Sequence, residues 1–256
     1  MTRRLLSIAA NTFRETVRNK ILYVILAFAL VVIGLTWFLA DLSMGELSRI
    51  VADVGLASIH LFGVTNAVFL GITLVSQEME RKTIYLVLSK PVPRWEFVIG
   101  KAAGLCATIL LTTSLMAATL FAVYAAYSGK AEAGILIASA GIYLELVLIV
   151  SIAAFFSTFT TPTLSAMFTL ALFLIGHLSQ SLYVLGTKST TAGARTAASA
   201  LFYLLPNLEI FNWKDAVVYG GVRSPALLLP AAGYLACYGT AVLLLACLLF
   251  SRKDFK

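Results

Sequence analysis

Charged residues are scarce in this sequence. Only 12% of its 256 residues are charged and 60% are hydrophobic, whereas a soluble globular chain is typically about 25% charged. This balance argues against an ordinary soluble domain and indicates a chain that crosses a membrane several times. The formal net charge is +7, but the basic residues lie at the ends of apolar runs. Membrane topology therefore accounts for them better than nucleic-acid binding does.

Cysteine and histidine are also scarce. Cys106, Cys237 and Cys247 all lie within apolar segments, which argues against a disulfide framework. His60 and His177 are isolated, and no Cys/His cluster has metal-ligand spacing, so the sequence predicts no metal site and no other cofactor in this chain. No segment matches the glycine-rich phosphate-binding loop that ends in Gly-Lys-Ser/Thr. The chain is therefore not expected to be an enzyme.

Six apolar segments are long enough to cross a bilayer, which takes about 20 apolar residues. They are Ile21–Ala40, Val54–Ser76, Phe97–Tyr127, Ile135–Phe159, Thr163–Leu185 and Ala226–Phe250. The predicted fold class is all-α, a polytopic membrane protein whose residues 1–256 form a single transmembrane domain. Basic residues are more abundant on the side that would hold both termini, which predicts that both termini are cytoplasmic.

Residues 1–20 precede the first span and have a helical period. Apolar side chains recur along one face and basic side chains occupy the other; the apolar positions are Leu6, Ala10, Phe13 and Val17. This pattern favours an amphipathic helix in the cytoplasmic interface over a basic flank that only sets topology.

Residues 186–225 form a long external segment before the last span. They contain a semi-apolar patch, interrupted at Pro206, that is too short to cross the membrane. We expect a helical segment there that is re-entrant or lies on the surface.

Residues 77–96 form a charged cytoplasmic loop after the second span. The loop opens with alternating acids and bases, continues with the apolar stretch Ile84–Leu88, and is broken by Pro91 and Pro93. A loop that only sets topology needs basic residues, but it does not need acids or an apolar patch between charges. The pattern therefore predicts that the loop docks against another protein.

The loop also carries a family resemblance. Glu78-Met79-Glu80-Arg81-Lys82-Thr83-Ile84, then Leu88-Ser89-Lys90-Pro91-Val92-Pro93-Arg94, then Gly100-Lys101 resemble permease subunits of type-two ABC exporters, including the permease of the nitrous-oxide-reductase maturation transporter. In that family this loop is a coupling helix that docks on a separate ATPase. Lys82 stands where family members more often have glycine. By resemblance, the ATPase-coupling residues are Glu78, Glu80, Arg81, Thr83, Ile84 and Leu88.

The resemblance implies the permease subunit of an ATP-driven exporter in the bacterial inner membrane. Its expected partners are two copies of an ABC ATPase, which bind ATP and Mg²⁺, a second permease in a homodimer or heterodimer, and membrane lipid; nucleic acid is not expected. Two alternatives remain open. One is an ion-coupled secondary transporter that uses Glu145, and the other is a membrane scaffold without transport.

Polar side chains within the spans are the candidate pathway residues. Glu145 lies near the middle of the fourth span, where a carboxylate is costly and marks either a functional site or a buried hydrogen-bonded group. His177 is interpreted as a packed side chain, because no acid is near it in sequence. A mixed stripe on the second span suits either a polar-tolerant cavity or interhelical packing. The full set is Phe62, Asn66, Phe69, Thr73, Glu145 and His177.

Overall fold

The structure is a computed structural model that describes residues 2–41, 47–80, 93–129, 132–188, 192–214, 216, 226 and 228–252. Within these ranges the regular elements are all helical. The α-helices are α1 (Thr2–Val17), α2 (Lys20–Asp41), α3 (Leu47–Glu80), α4 (Arg94–Ser128), α5 (Ala133–Ser157), α6 (Pro162–Thr187), α7 (Ala192–Leu204) and α8 (Leu228–Arg252), with a 3₁₀ helix at Leu208–Phe211.

The long helices are suited to cross a membrane. Among the described residues α3, α4, α5, α6 and α8 are long and apolar enough, and a sixth span is counted if α1 and α2, bent by 63° at their junction, are taken together. Helix α2 alone has 22 residues, which gives about 33 Å at 1.5 Å per residue, close to the roughly 30 Å of the hydrocarbon core. These helices coincide with the six predicted spans and confirm the predicted fold class.

Helices α3 and α5 form the centre of the bundle. About two thirds of the span in each is buried, against 17% in α6 and 22% in α8. The two central helices approach closely because α3 presents Gly63 to Leu146 and Gly71 to Ala153. Small residues at a helix interface allow such approach, as is common in membrane proteins.

Helix α1 packs along the first turns of α4 through a face that includes Ile8 and Thr12. Thr12 and Thr16 are buried, whereas Leu6 is 69% exposed and Ala10 is exposed as well. Thr16 can be buried because its hydroxyl donates a hydrogen bond to the Thr12 carbonyl oxygen (2.7 Å). The sequence predicts a helix here correctly. Leu6 and Ala10 leave part of the predicted apolar face outside this contact, and the glycines of α4 allow the close approach of the other face.

The residues after α7 enter the bundle. Residues 205–214, here called the inserted segment, bury Leu208, Phe211 and Trp213 almost completely. Gly176 of α6 lies against Leu208, and Gly141 of α5 lies against the Trp213 ring. The burial of these side chains favours the re-entrant form over the surface-lying form of the segment predicted before the last span. Glycines in two neighbouring helices provide the space that it occupies.

Candidate functional site

Four ionisable side chains from different elements meet in the middle of the bundle. Glu145 is the central residue of α5, and His60 lies near the middle of the α3 span. His177 of α6 lies within one turn of the middle of its span. Lys214, at the end of the inserted segment, completes the group. We call these four residues the midspan cluster.

The cluster is closely spaced. His60 Nε2 lies 2.9 Å from Glu145 Oε1, and His177 Nε2 lies 3.5 Å from the same oxygen. Lys214 Nζ lies 2.9 Å from His60 Nδ1. The Glu145 side chain is only 1% exposed. The pair His60 and Glu145 is separated by 85 positions in the chain, so only the packing of α3 against α5 brings them together.

Aromatic rings enclose one side of the cluster. The Phe173 ring lies 4.8 Å from the His177 ring and 5.6 Å from the His60 ring, centroid to centroid, and the two histidine rings are 5.4 Å apart. Taking a carboxylate out of water is costly unless the charge is paired and hydrogen-bonded. Here the cost is offset by partners from two other helices and by a lysine beyond His60.

The hydrogen bonds fix the proton on His60. A lysine ammonium only donates, so Lys214 donates to His60 Nδ1 and Nδ1 accepts. The neutral ring therefore carries its proton on Nε2, which donates to Glu145 Oε1. The result is a continuous chain from Lys214 through His60 to Glu145, with a partly buried positive charge at one end and a buried negative charge at the other.

The predicted pathway residues are divided between this cluster and other contacts. Glu145 and His177 come together, so the interpretation of His177 as lacking an acidic partner is corrected. The Phe62 ring packs edge-on against Phe28 at 5.4 Å, and Asn66 Nδ2 lies 3.5 Å from Thr112 Oγ1.

The other two stripe residues also lie away from the cluster. Phe69 packs, partly buried, on the main core. Thr73 lines a small polar cavity of about 40 Å³ together with Thr12, Glu15 and Lys101. Three of the four stripe residues therefore make packing contacts, and a role of the stripe in a transport path stays a prediction.

The predicted coupling residues lie at or beyond the end of α3. Glu78 and Glu80 belong to the last turn of α3 and do not begin the coupling helix that the resemblance implies. Arg81, Thr83, Ile84 and Leu88 lie outside the described residues.

Two cluster residues are missing from the sequence prediction. A signal for His60 exists, since a polar ionisable residue in the middle of an apolar run marks a functional position by default. Lys214 has no such signal, because it follows a segment that the sequence places outside the membrane. Its position depends on the insertion of residues 205–214 into the bundle.

Membrane-length helices packed around a buried ionisable cluster define a polytopic membrane protein with polar groups at mid-depth. A comparison with protein families matches residues 6–255 to the ABC-2 family transporter protein. The match covers nearly the whole chain, and the chain belongs to this family. It is thus a membrane subunit of an ABC transporter and not itself the catalytic subunit. A comparison with curated proteins gives no match.

Proposed function

We propose that this chain is the permease subunit of an ATP-driven exporter in the bacterial inner membrane. The main observation in support of this proposal is the continuous family match over residues 6–255, which spans every membrane-length helix and the loop between α3 and α4. Two permeases, in a homodimer or heterodimer, would enclose the transport path, with both termini in the cytoplasm. Two ABC ATPase subunits would bind ATP and Mg²⁺ and drive transport.

The length of α3 supports docking of the ATPase at its C-terminal end. Its 34 residues extend about 51 Å at 1.5 Å per residue, against roughly 30 Å of hydrocarbon. The helix therefore tilts or projects from the bilayer, and its last turn carries the charged residues Glu78 and Glu80. The C-terminal end of α3 would then be accessible to a cytoplasmic partner.

The sequence of the loop supports the same docking. The resemblance to permeases of type-two ABC exporters, which include the permease of the nitrous-oxide-reductase maturation transporter, is most specific over residues Glu78–Lys101. In such permeases this loop contacts the ATPase. The apolar residues Ile84 and Leu88 would enter a groove on the ATPase. Charged residues such as Arg81 at the edge would orient docking. The resemblance predicts the role of the loop but does not identify the transported substrate.

Changing Ile84 and Leu88 together to Asp tests this proposal. Two carboxylates in a desolvated apolar contact are costly, so the ATPase should no longer co-purify and its ATP hydrolysis should no longer respond to the permease. The matched control is Lys82→Gln, which changes an edge charge and should have a smaller effect. Both variants should insert into the membrane normally. Full ATPase association with the double Asp variant would contradict ATPase docking through this loop.

The midspan cluster supports one alternative, ion-coupled transport through Glu145. A proton could move along the chain from Lys214 to Glu145, which is a feature of proton relays. The family match favours ATP as the energy source. Transport that continues without any ATPase but collapses with the proton gradient would favour the alternative.

A further inference from the structure

The midspan cluster contains one ring nitrogen whose hydrogen-bonding capacity is unmet. His177 Nε2 is buried and has no hydrogen-bond partner among the residues that the structure describes. The other nitrogen, Nδ1, lies 3.4 Å from the Phe173 carbonyl oxygen. Because a carbonyl only accepts, the ring proton belongs on Nδ1, and Nε2 carries a lone pair. That lone pair faces Glu145 Oε1, which is also an acceptor.

Two acceptors that face each other in a buried site need a positive species between them. A proton would make a charge-assisted hydrogen bond of about 2.5–2.9 Å, and the observed 3.5 Å is too long for one. A metal ion with bonds of about 2.0–2.2 Å to nitrogen and oxygen holds neighbouring tetrahedral donors about 3.4 Å apart. The distance between His177 Nε2 and Glu145 Oε1 therefore fits a shared metal ion better than a shared proton.

The third donor completes a ligand set. His60 Nε2 lies 2.9 Å from Glu145 Oε1, a hydrogen-bond distance that would lengthen to about 3.4 Å when both atoms bind one ion. One ligand atom from each of the three residues lies within 4.8 Å of the others. We propose that His60, Glu145 and His177 form a binding site for a divalent first-row transition metal ion, such as Zn²⁺. Three protein ligands leave a fourth position open, as in zinc sites that bind water or another ligand.

The surroundings of His177 match those of a metal ligand. A metal-bound histidine usually donates its other ring N–H to a carbonyl or carboxylate, and His177 has the Phe173 carbonyl oxygen for this purpose. The chain has only two histidines, and both lie in this cluster. Imidazole and carboxylate together suit zinc and its first-row neighbours.

The positive charge of Lys214 should weaken metal binding, so the direction in which zinc affinity changes when the charge is removed tests the proposal. Binding of the metal to His60 Nε2 requires the neutral ring to carry its proton on Nδ1 instead of Nε2, so Lys214 Nζ, 2.9 Å from Nδ1, could no longer donate to that nitrogen. The ammonium would also lie near the metal ion. Like charges at this range repel. Lys214→Met removes the positive charge and keeps an unbranched side chain. It should therefore bind zinc more tightly than the unchanged protein.

The test uses the full chain purified in detergent with an affinity tag that contains no histidine. Its three cysteines are first replaced by alanine, because thiolates also bind zinc. Titration with Zn²⁺ should give saturable binding of about one ion per chain. Co²⁺ in the same site should give the visible absorption of a tetrahedral complex. No ATPase is needed, so failure here is distinct from failure of the proposed coupling function.

Substitution of each proposed ligand tests whether zinc binds at the midspan cluster. His60→Ala, Glu145→Gln and His177→Ala should each weaken zinc binding by at least about 100-fold, since even loss of an outer-shell partner costs 10- to 100-fold. Glu96→Gln is the matched control, because Glu96 is another buried carboxylate on a different helix. Its zinc affinity should equal that of the parent protein.

Several results would overturn the proposal. They are the absence of stoichiometric zinc binding, a Co²⁺ complex without tetrahedral absorption, and zinc affinity that is unchanged in the two histidine variants. Metal-free gel filtration and thermal melting show whether each variant is folded. If a ligand variant does not fold, the Co²⁺ spectrum of the parent protein and the zinc affinity of Lys214→Met still decide. Weaker zinc binding by Lys214→Met would also count against the site.

Discussion

At the scale of single residues, glycines set where the helices of this chain touch. A Cβ at Gly104 would lie 2.5 Å from the Ala9 carbonyl oxygen and 2.7 Å from the Thr12 Cβ. The first of these is a backbone atom, which cannot turn aside as a flexible side chain can. Gly104 therefore allows α1 to approach α4 more closely than any residue with a side chain would permit.

Gly104→Ala should consequently destabilise the protein. Overpacking of a close contact typically costs about 1–3 kcal/mol, and the strain should separate α1 from α4. We expect a lower thermal midpoint in detergent. We also expect faster proteolysis within α1 than in the unchanged protein, with both proteins in the same detergent.

Gly34→Ala is the matched control for this prediction. No atom lies within 4 Å of a Cβ built at Gly34, and alanine is favoured over glycine within a helix by up to about 1 kcal/mol. The control should be neutral or slightly stabilising. Equal losses from the two substitutions would show that helix propensity, and not contact with α1, controls the effect.

What the sequence could predict differs from residue to residue. The spacing of Gly100 and Gly104 predicts close helix contact, and the structure places α1 there. The cost of a carboxylate in a span singles out Glu145 without naming its partners. Its partners come from α3 and α6, so their identity depends on tertiary packing. No local pattern contains that information.

At the scale of elements, the inserted segment links the outside of the bundle to its centre. Tyr234 of α8 accepts a hydrogen bond from the Asn207 backbone N–H at 2.9 Å. Trp213 Nε1 donates to the Ile210 carbonyl oxygen at 3.0 Å. These bonds satisfy polar groups that would otherwise be costly at this depth, and they hold Lys214 within reach of His60.

Trp213→Ala should loosen this segment. The side chain is 2% exposed, and truncation of a buried aromatic residue typically costs about 3–5 kcal/mol. We expect a lower thermal midpoint and new protease cleavage between residues 192 and 214. Tyr203→Ala, at a position 80% exposed, is the control and should leave both measurements nearly unchanged. Unaltered proteolysis of Trp213→Ala would contradict docking of the segment through this ring.

Helix α3 connects the two regions for which we propose a function. It carries His60 in the midspan cluster and Glu80 at the base of the proposed docking loop. The 20 residues between them correspond to about 30 Å of continuous helix. A rigid helix transmits displacement along its length, so movement of the loop by an ATPase would reach the cluster without an intermediate element.

At the scale of the whole molecule, the outer surface is apolar on the helices farthest from the centre. Leu174 and Leu178 of α6 and Leu244 and Leu248 of α8 are all more than half exposed. Lipid or the second permease would cover such surfaces. The sequence predicts the spans well because each has its own hydropathy signal. It does not predict which face of α1 packs inward, because that choice depends on the shape of α4.

The bundle has two ends, and their orientation in the membrane is the last prediction. Arg18 and Arg252 lie at the end where α3 finishes, whereas Glu132 and Lys188 lie at the opposite end, and all four are exposed. The excess of basic residues at the first end predicts that it is cytoplasmic.

Single cysteines at these four positions, in a background without native cysteines, test this orientation. In intact cells a membrane-impermeant maleimide should label Glu132→Cys and Lys188→Cys. Arg18→Cys and Arg252→Cys should react only after the membrane is permeabilised. The reverse pattern would show that the protein has the opposite orientation in the membrane, in which a cytoplasmic ATPase could not reach the loop between α3 and α4. Labelling of all four from one side would contradict the six-span arrangement itself, because the two ends of the bundle would then face the same compartment.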